Sequence, residues 1–151
     1  MTIRFYSTKN QFGEFSNFAA FPFLLDGKEW PTSEHYFQAQ KFTLDDYREQ
    51  IRQAPSPLVA ARLGRSRKVP IRGDWEDVKL DVMRAAVRCK FATHAELAEL
   101  LLSTGNQELI EAAPGDDFWG CGESGTGQNW LGRILMEIRH EWTLTIKGRT
   151  P

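Results

Sequence analysis

The chain has 151 residues, 41% of them hydrophobic, with 19 Lys and Arg against 20 Asp and Glu. That length suits one soluble globular domain, residues 1–151, whose folding buries about 70% of the unfolded chain's surface. A formal net charge of −1 excludes the blanket attraction by which strongly basic proteins coat nucleic acid or anionic membranes, so any such contact must be local.

In chain order, residues 2–6 (TIRFY) have the β-branched and aromatic makeup of a short strand. Residues 21–30 (FPFLLDGKEW) predict two short strands joined around Asp26-Gly27. Helices then take over. Thr32 or Ser33 caps a helix that runs into EHYFQAQKF, and shorter helices follow over 45–53 and 57–63, the second ended near Gly64. Asp74 caps the best helix, where Trp75, Val78, Val82, Ala86 and Cys89 recur at three- or four-residue steps as one apolar stripe, best read as core. Residues 96–102 predict another helix, closed before Gly105, and Leu131, Ile134, Leu135 and Ile138 mark a last amphipathic one. The fold class is mostly α with a small β element, α+β.

Cys89 and Cys121 show no Cys-x-x-Cys spacing, and His35, His94 and His140 form no His-Glu-x-x-His pair, so neither a zinc site nor a disulfide framework is expected. The first ten residues (MTIRFYSTKN) lack an apolar signal region and no run approaches roughly eighteen apolar residues, so the expected compartment is the reducing cytoplasm, with no membrane role.

Composition is uneven. Eight of the ten Phe fall in residues 1–42, six of the twelve Gly in 115–132, and residues 62–72 (RLGRSRKVPIR) carry five basic residues and no acid. On the helix after Thr32, Glu34, Gln38 and Lys41 fall at i, i+4 and i+7, so a carboxylate, an amide and an ammonium share one face; the plainer reading is an acidic first turn followed by surface polar residues. Residues 120–132 (GCGESGTGQNWLG) precede the last helix, where backbone N–H groups can face a phosphate, but too little chain follows for a dinucleotide fold, and an ordinary turn explains the glycines equally well. Asp116 stands beside Phe118-Trp119, either a desolvated acid next to a stacking ring or a turn-capping Asp beside a core indole. The basic run either holds phosphates or is a solvated helix end, and Ser124 lacks a Gly-x-Ser-x-Gly elbow. Together the acids, a lysine, aromatics and the basic run suggest a pocket for an aromatic base joined to a sugar phosphate.

Residues 15–18 (FSNF), Pro22-Phe23, residues 30–42 (WPTSEHYFQAQKF), 60–65 (AARLGR), 74–79 (DWEDVK), 82–84 (VMR), Lys90-Phe91, 116–120 (DDFWG) and 129–137 (NWLGRILME) closely resemble, in order, the blocks of the YbiA-like or NADAR family. The resemblance implies a mostly helical single domain and an N-glycosidase that hydrolyses a bond between ribose C1 and nitrogen without metal or cofactor. Two substrate classes are implied: ADP-ribose on guanine bases of DNA or RNA, where the enzyme can serve as antitoxin to an ADP-ribosyltransferase toxin, and the ribosylamino-pyrimidine phosphates of riboflavin synthesis. Carried over by position, the catalytic set is Glu34, Lys41 and Asp116, with Lys79 or Lys90 as alternatives for an imine-forming lysine. Glu34 then stabilises the cationic sugar and orients water, Asp116 assists as acid or ribose ligand, and Lys41 attacks C1. Trp75 and Trp119 stack the base, Arg62, Arg65, Arg67 or Arg72 hold phosphate, and Asn17 and Asn129 complete the substrate-binding set. The alternatives are a non-catalytic ADP-ribose-binding module and a partner-bound regulator.

Overall fold

The computed structural model describes residues 1–149, which form six helices and two two-stranded sheets, an α+β fold. Two compact units make up the chain: residues 1–16 with residue 94 onward, and residues 17–93. No helix among the described residues is long and apolar enough to cross a membrane.

In the first unit, β1 (Thr2–Phe5) pairs in parallel with β4 (Glu108–Glu111), from Thr2 opposite Glu108 to Phe5 opposite Glu111. Residues 108–111 carry no alternating signal that marks them as a strand, so β4 is absent from the sequence expectation and is supplied by pairing. Helix α5 (Ala95–Ser103) packs on α6 (Trp130–Arg149), and α6 packs on β4. Leu131, Ile134, Leu135 and Ile138 are fully buried, as their spacing predicts. Contact is closest at Gly132, where a Cβ would stand 2.1 Å from the Leu109 carbonyl oxygen.

In the second unit, β2 (Phe23–Leu25) and β3 (Lys28–Trp30) form the expected hairpin. Asp26 and Gly27 both take positive φ, 55° and 77°, the left-handed pair that a tight two-residue turn requires. Helix α1 (Ser33–Ala39) packs against α2 (Asp45–Arg52), α3 (Pro57–Arg65), α4 (Trp75–Thr93) and β3. Enclosed by four elements, every residue of α1 is buried, despite its polar sequence. Phe23, Trp30, Tyr36, Phe42 and Ile51 form the core beside it, and the Trp30 and Tyr36 rings meet edge to face at 5.1 Å. Tyr36 also donates its hydroxyl to Asp26 at 2.8 Å, tying α1 to the hairpin turn; burial and that carboxylate push its pKa up.

Helix α3 ends at Arg65, one residue past the Gly64 near which it is expected to close, and Gly64 itself lies in a close approach to α1. At the start of α4, Asp74 gives its backbone carbonyl to Asp77 and Val78, while its carboxylate is forked by Nε and Nη2 of Arg72. The buried face of α4 is Trp75, Met83, Ala86, Val87, Lys90 and Phe91, rotated from the stripe read in the sequence, leaving Val78 and Cys89 half-buried.

Candidate active site

The candidate site is built on α1. Thr32 caps the helix by accepting from the His35 backbone N–H at 3.1 Å, leaving Ser33 for another task. The Ser33 hydroxyl donates to Asn17 Oδ1 at 2.7 Å, and the Asn17 carbonyl accepts the Glu34 N–H at 3.2 Å. Asn17 therefore fixes the first turn of the helix that carries Glu34. One turn on, Gln38 Nε2 donates to Glu34 Oε2 at 2.7 Å, the i,i+4 contact that their spacing allows.

Lys41 lies just past the helix end. Its backbone carbonyl accepts the Arg72 N–H at 2.7 Å, and its Nζ sits 5.8 Å from the Phe37 ring centroid. Phe37 in turn packs on Trp75 at 5.0 Å. Glu34, Gln38 and Lys41 are all at least nine-tenths buried, so the surface reading of this face is wrong. Burial lowers the Lys41 pKa to about 8; Arg67, Arg65 and Lys79 add to the lowering and Glu34 opposes it. A lysine so placed is partly neutral near physiological pH, the state in which an amine is a nucleophile.

The other nominated residues divide. Arg62, Arg65 and Arg67 are exposed, and Arg67 donates to the Gly64 carbonyl at 2.9 Å. Arg72 is already held by Asp74, which makes it the least available phosphate ligand of the run. Lys79 pairs with Glu76, and Lys90, 1% exposed, lies against the Phe21 and Phe91 rings.

Asp116, Trp119 and Asn129 belong to the other compact unit. Asp116 Oδ1 accepts the N–H groups of Phe118 and Trp119 at 3.0 and 2.8 Å, a turn-capping contact made by one of its two carboxylate oxygens. Trp119 is half-buried, edge to face with Phe118 at 4.8 Å. Asn129 accepts from the Glu111 N–H and donates to the Leu109 carbonyl, both at 2.9 Å, so its amide extends β4 and is occupied there. The N–H groups that open α6 are engaged within the protein: those of Asn129, Trp130 and Leu131 go to the carbonyls of Gly120, Phe118 and Trp119, each at 3.0 Å.

His35, next to Glu34, is a buried neutral latch. Its Nε2 donates to the Ala54 carbonyl at 3.0 Å, so Nδ1 accepts the Thr32 hydroxyl at 2.8 Å while that oxygen caps the helix. Burial depresses the His35 pKa below its usual 6.5, against a smaller upward pull from Ala54. The unfolded chain thus takes up this proton first as pH falls, and stability present above pH 6.5 is lost below it. Melting curves should show a smaller loss between pH 7.5 and 5 for His35→Gln than for the native chain; equal losses would exclude the latch.

Residues 4–143 match the family model described as the NADAR domain. The chain is 57% identical over 139 residues to N-glycosidase YbiA of Escherichia coli (strain K12), spanning 92% of this chain and 87% of that protein. The NMR structure of E. coli YbiA superposes with a TM-score of 0.91, at 53% identity, over 99% of this chain and 89% of that one. Similarity extends to the chloroplastic riboflavin biosynthesis protein PYRR of Zea mays, 44% identical over 154 aligned positions that cover 92% of this chain and 25% of that protein. The chain belongs to the NADAR family and is an enzyme of the N-glycosidase class, a hydrolase. That class sets aside a module that only binds.

Proposed function

We propose that the enzyme removes ADP-ribose from guanine bases of nucleic acid, with Glu34 and Lys41 as its catalytic pair. The observation that carries the proposal is one buried carboxylate beside one buried, partly neutral lysine, with Arg65 and Arg67 close enough to lower that lysine's pKa. Residues 17–93 carry 13 Lys and Arg against ten Asp and Glu, so a near-neutral chain presents a cationic unit to a polyphosphate. Arg65 and Arg67 are suited to the phosphate oxygens of the substrate.

In this scheme the C1–N bond breaks, the departing base nitrogen gains a proton, and Glu34 stabilises the positive charge at C1. Lys41 Nζ attacks C1 and loses its proton; the ring C1–O bond opens with protonation of oxygen, leaving an imine. Water, deprotonated by Glu34, adds to the imine carbon, and the C–Nζ bond breaks to return the amine and free ADP-ribose. Asp116 caps its turn through Oδ1, and no step of this scheme is assigned to it or to Trp119.

Borohydride added during turnover should leave a reduced adduct on Lys41, located by peptide mass, with trapping that rises as pH passes through about 8. An adduct on Lys79 or Lys90, or none at all, overturns the role of Lys41. The second reading, favoured by the printed name of the maize relative, is hydrolysis of ribosylamino-pyrimidine phosphates of riboflavin synthesis. Equal enzyme given guanine-linked ADP-ribose in an oligonucleotide and the ribosylamino-pyrimidine phosphate should show the higher kcat/KM on the oligonucleotide; the reverse order selects the second reading. An antitoxin role would follow from the first outcome, tested by rescue of cells expressing a guanine-specific ADP-ribosyltransferase.

A further inference from the structure

The amide of Gln38 is built into the site in one orientation only. Its Nε2 donates to Glu34 Oε2 at 2.7 Å, while its Oε1 is buried without a hydrogen-bond partner. A buried amide oxygen with no donor is costly, and so calls for an explanation. Turning the amide over would set Oε1 against the Glu34 carboxylate, oxygen facing oxygen, so the donor end is committed to Glu34.

The place for this side chain is made by Gly64. A Cβ at Gly64 would stand 1.9 Å from Gln38 Oε1 and 2.6 Å from Gln38 Cδ. Glycine is among the least favourable residues inside a helix, yet α3 carries it at the one position where any side chain would evict Gln38. Two elements are thereby fitted to one hydrogen bond: α1 supplies donor and acceptor four residues apart, and α3 leaves the space that keeps them together. The terminal torsion of a glutamate is broad and nearly two-fold, so a bond to one particular oxygen selects among its orientations. A neutral donor holds the carboxylate without adding a further charge to that of Lys41.

We infer that Gln38, seated in the space left by Gly64, is the positioning residue that sets the orientation of the Glu34 carboxylate for reaction. This rests on the reading of Glu34 as the reacting carboxylate. Gln38 acts through Glu34 and is given no contact with substrate.

Three variants test the inference, each assayed on a ribosyl substrate that the native enzyme turns over, with melting curves to establish folding. Gln38→Met keeps the volume and removes the donor; kcat should fall by about tenfold to a hundredfold, with KM changed less than about threefold. Gly64→Ala alters neither member of the bond and should give the same kcat defect. Gln38→Glu supplies a donor only when the two carboxyls share a proton, so activity should recover toward acid pH and fall on the alkaline side, where both ionise and repel. A residue that merely fills space would leave the pH profile unmoved. Native kcat in both Gln38→Met and Gly64→Ala, or a native pH profile in Gln38→Glu, overturns the inference. Glu34→Gln measured alongside separates the failures: if it turns over normally the reading of Glu34 is lost, and if it is inactive while the Gln38 and Gly64 variants are native, only the inference is lost.

Discussion

Glu34→Gln is expected to lower hydrolysis by at least about a hundredfold while leaving binding of free ADP-ribose nearly unchanged. The substitution keeps the side chain's shape and removes its charge. Helix α1 should survive, because its first turn is held by the Thr32 cap and by the contacts of Asn17 with Ser33 and the Glu34 backbone, none of which uses the carboxylate. On the proposed mechanism the substitution removes the anion that faces C1 when that carbon is most cationic, and with it the base that activates water. The product has no such cation, so its affinity should not follow the rate. A second signature accompanies the first: Glu34 opposes the lowering of the Lys41 pKa, so its neutralisation should move the pH midpoint of borohydride trapping below about 8. Base release followed by chromatography, with ADP-ribose titrated by calorimetry, gives both quantities, and a variant turning over at the native rate would remove Glu34 from the mechanism.

Gly132→Ala should be the most destabilising single-methyl change in the first unit. The added Cβ would meet the Leu109 carbonyl oxygen at 2.1 Å and both amide atoms of Asn129 at 2.6 Å. The carbonyl belongs to strand backbone and cannot swing aside as a flexible side-chain tip can. Relief requires α6 to move off β4, which breaks the two hydrogen bonds that Asn129 makes to Glu111 and Leu109. Overpacking together with the broken bonds should cost about 3 kcal/mol, or roughly 10 °C in Tm for a chain of this size. Gly115→Ala, where nothing lies within 4 Å of the new carbon, is the matched control and should melt within a degree or two of the native chain. Equal melting temperatures for the two variants would show that α6 and β4 tolerate separation.

Elements carried by local chemistry are legible in the sequence. The Asp26-Gly27 turn, the Thr32 cap and the apolar spacing of α6 need only their neighbours to be read. Strand β4 is not legible, because its partner lies more than a hundred residues away in the chain. The burial of α1 is equally hidden: polarity argues for solvent, and only enclosure by α2, α3, α4 and β3 reverses that. The family blocks lead to Glu34 and Lys41, yet Asn129 lies within such a block and has a structural task. Resemblance to a block places a residue in the family's pattern without giving its task. Gln38 shares a predicted face with Glu34, but its importance depends on Gly64, and a glycine between two basic residues reads naturally as a helix end.

The parallel pairing of β1 with β4 fixes an order of assembly. Residues 17–93 are continuous in sequence and contain Glu34, Gln38, Gly64 and Lys41. Strand β1, made first, has no partner until residues 108–111 leave the ribosome. The segment with the candidate chemistry can therefore collapse during synthesis, while the other unit must wait and close one of the longest loops in the molecule. On refolding from denaturant, hydrogen exchange should protect α1 and α3 before β1, and the slow phase should belong to the chain's two ends finding each other.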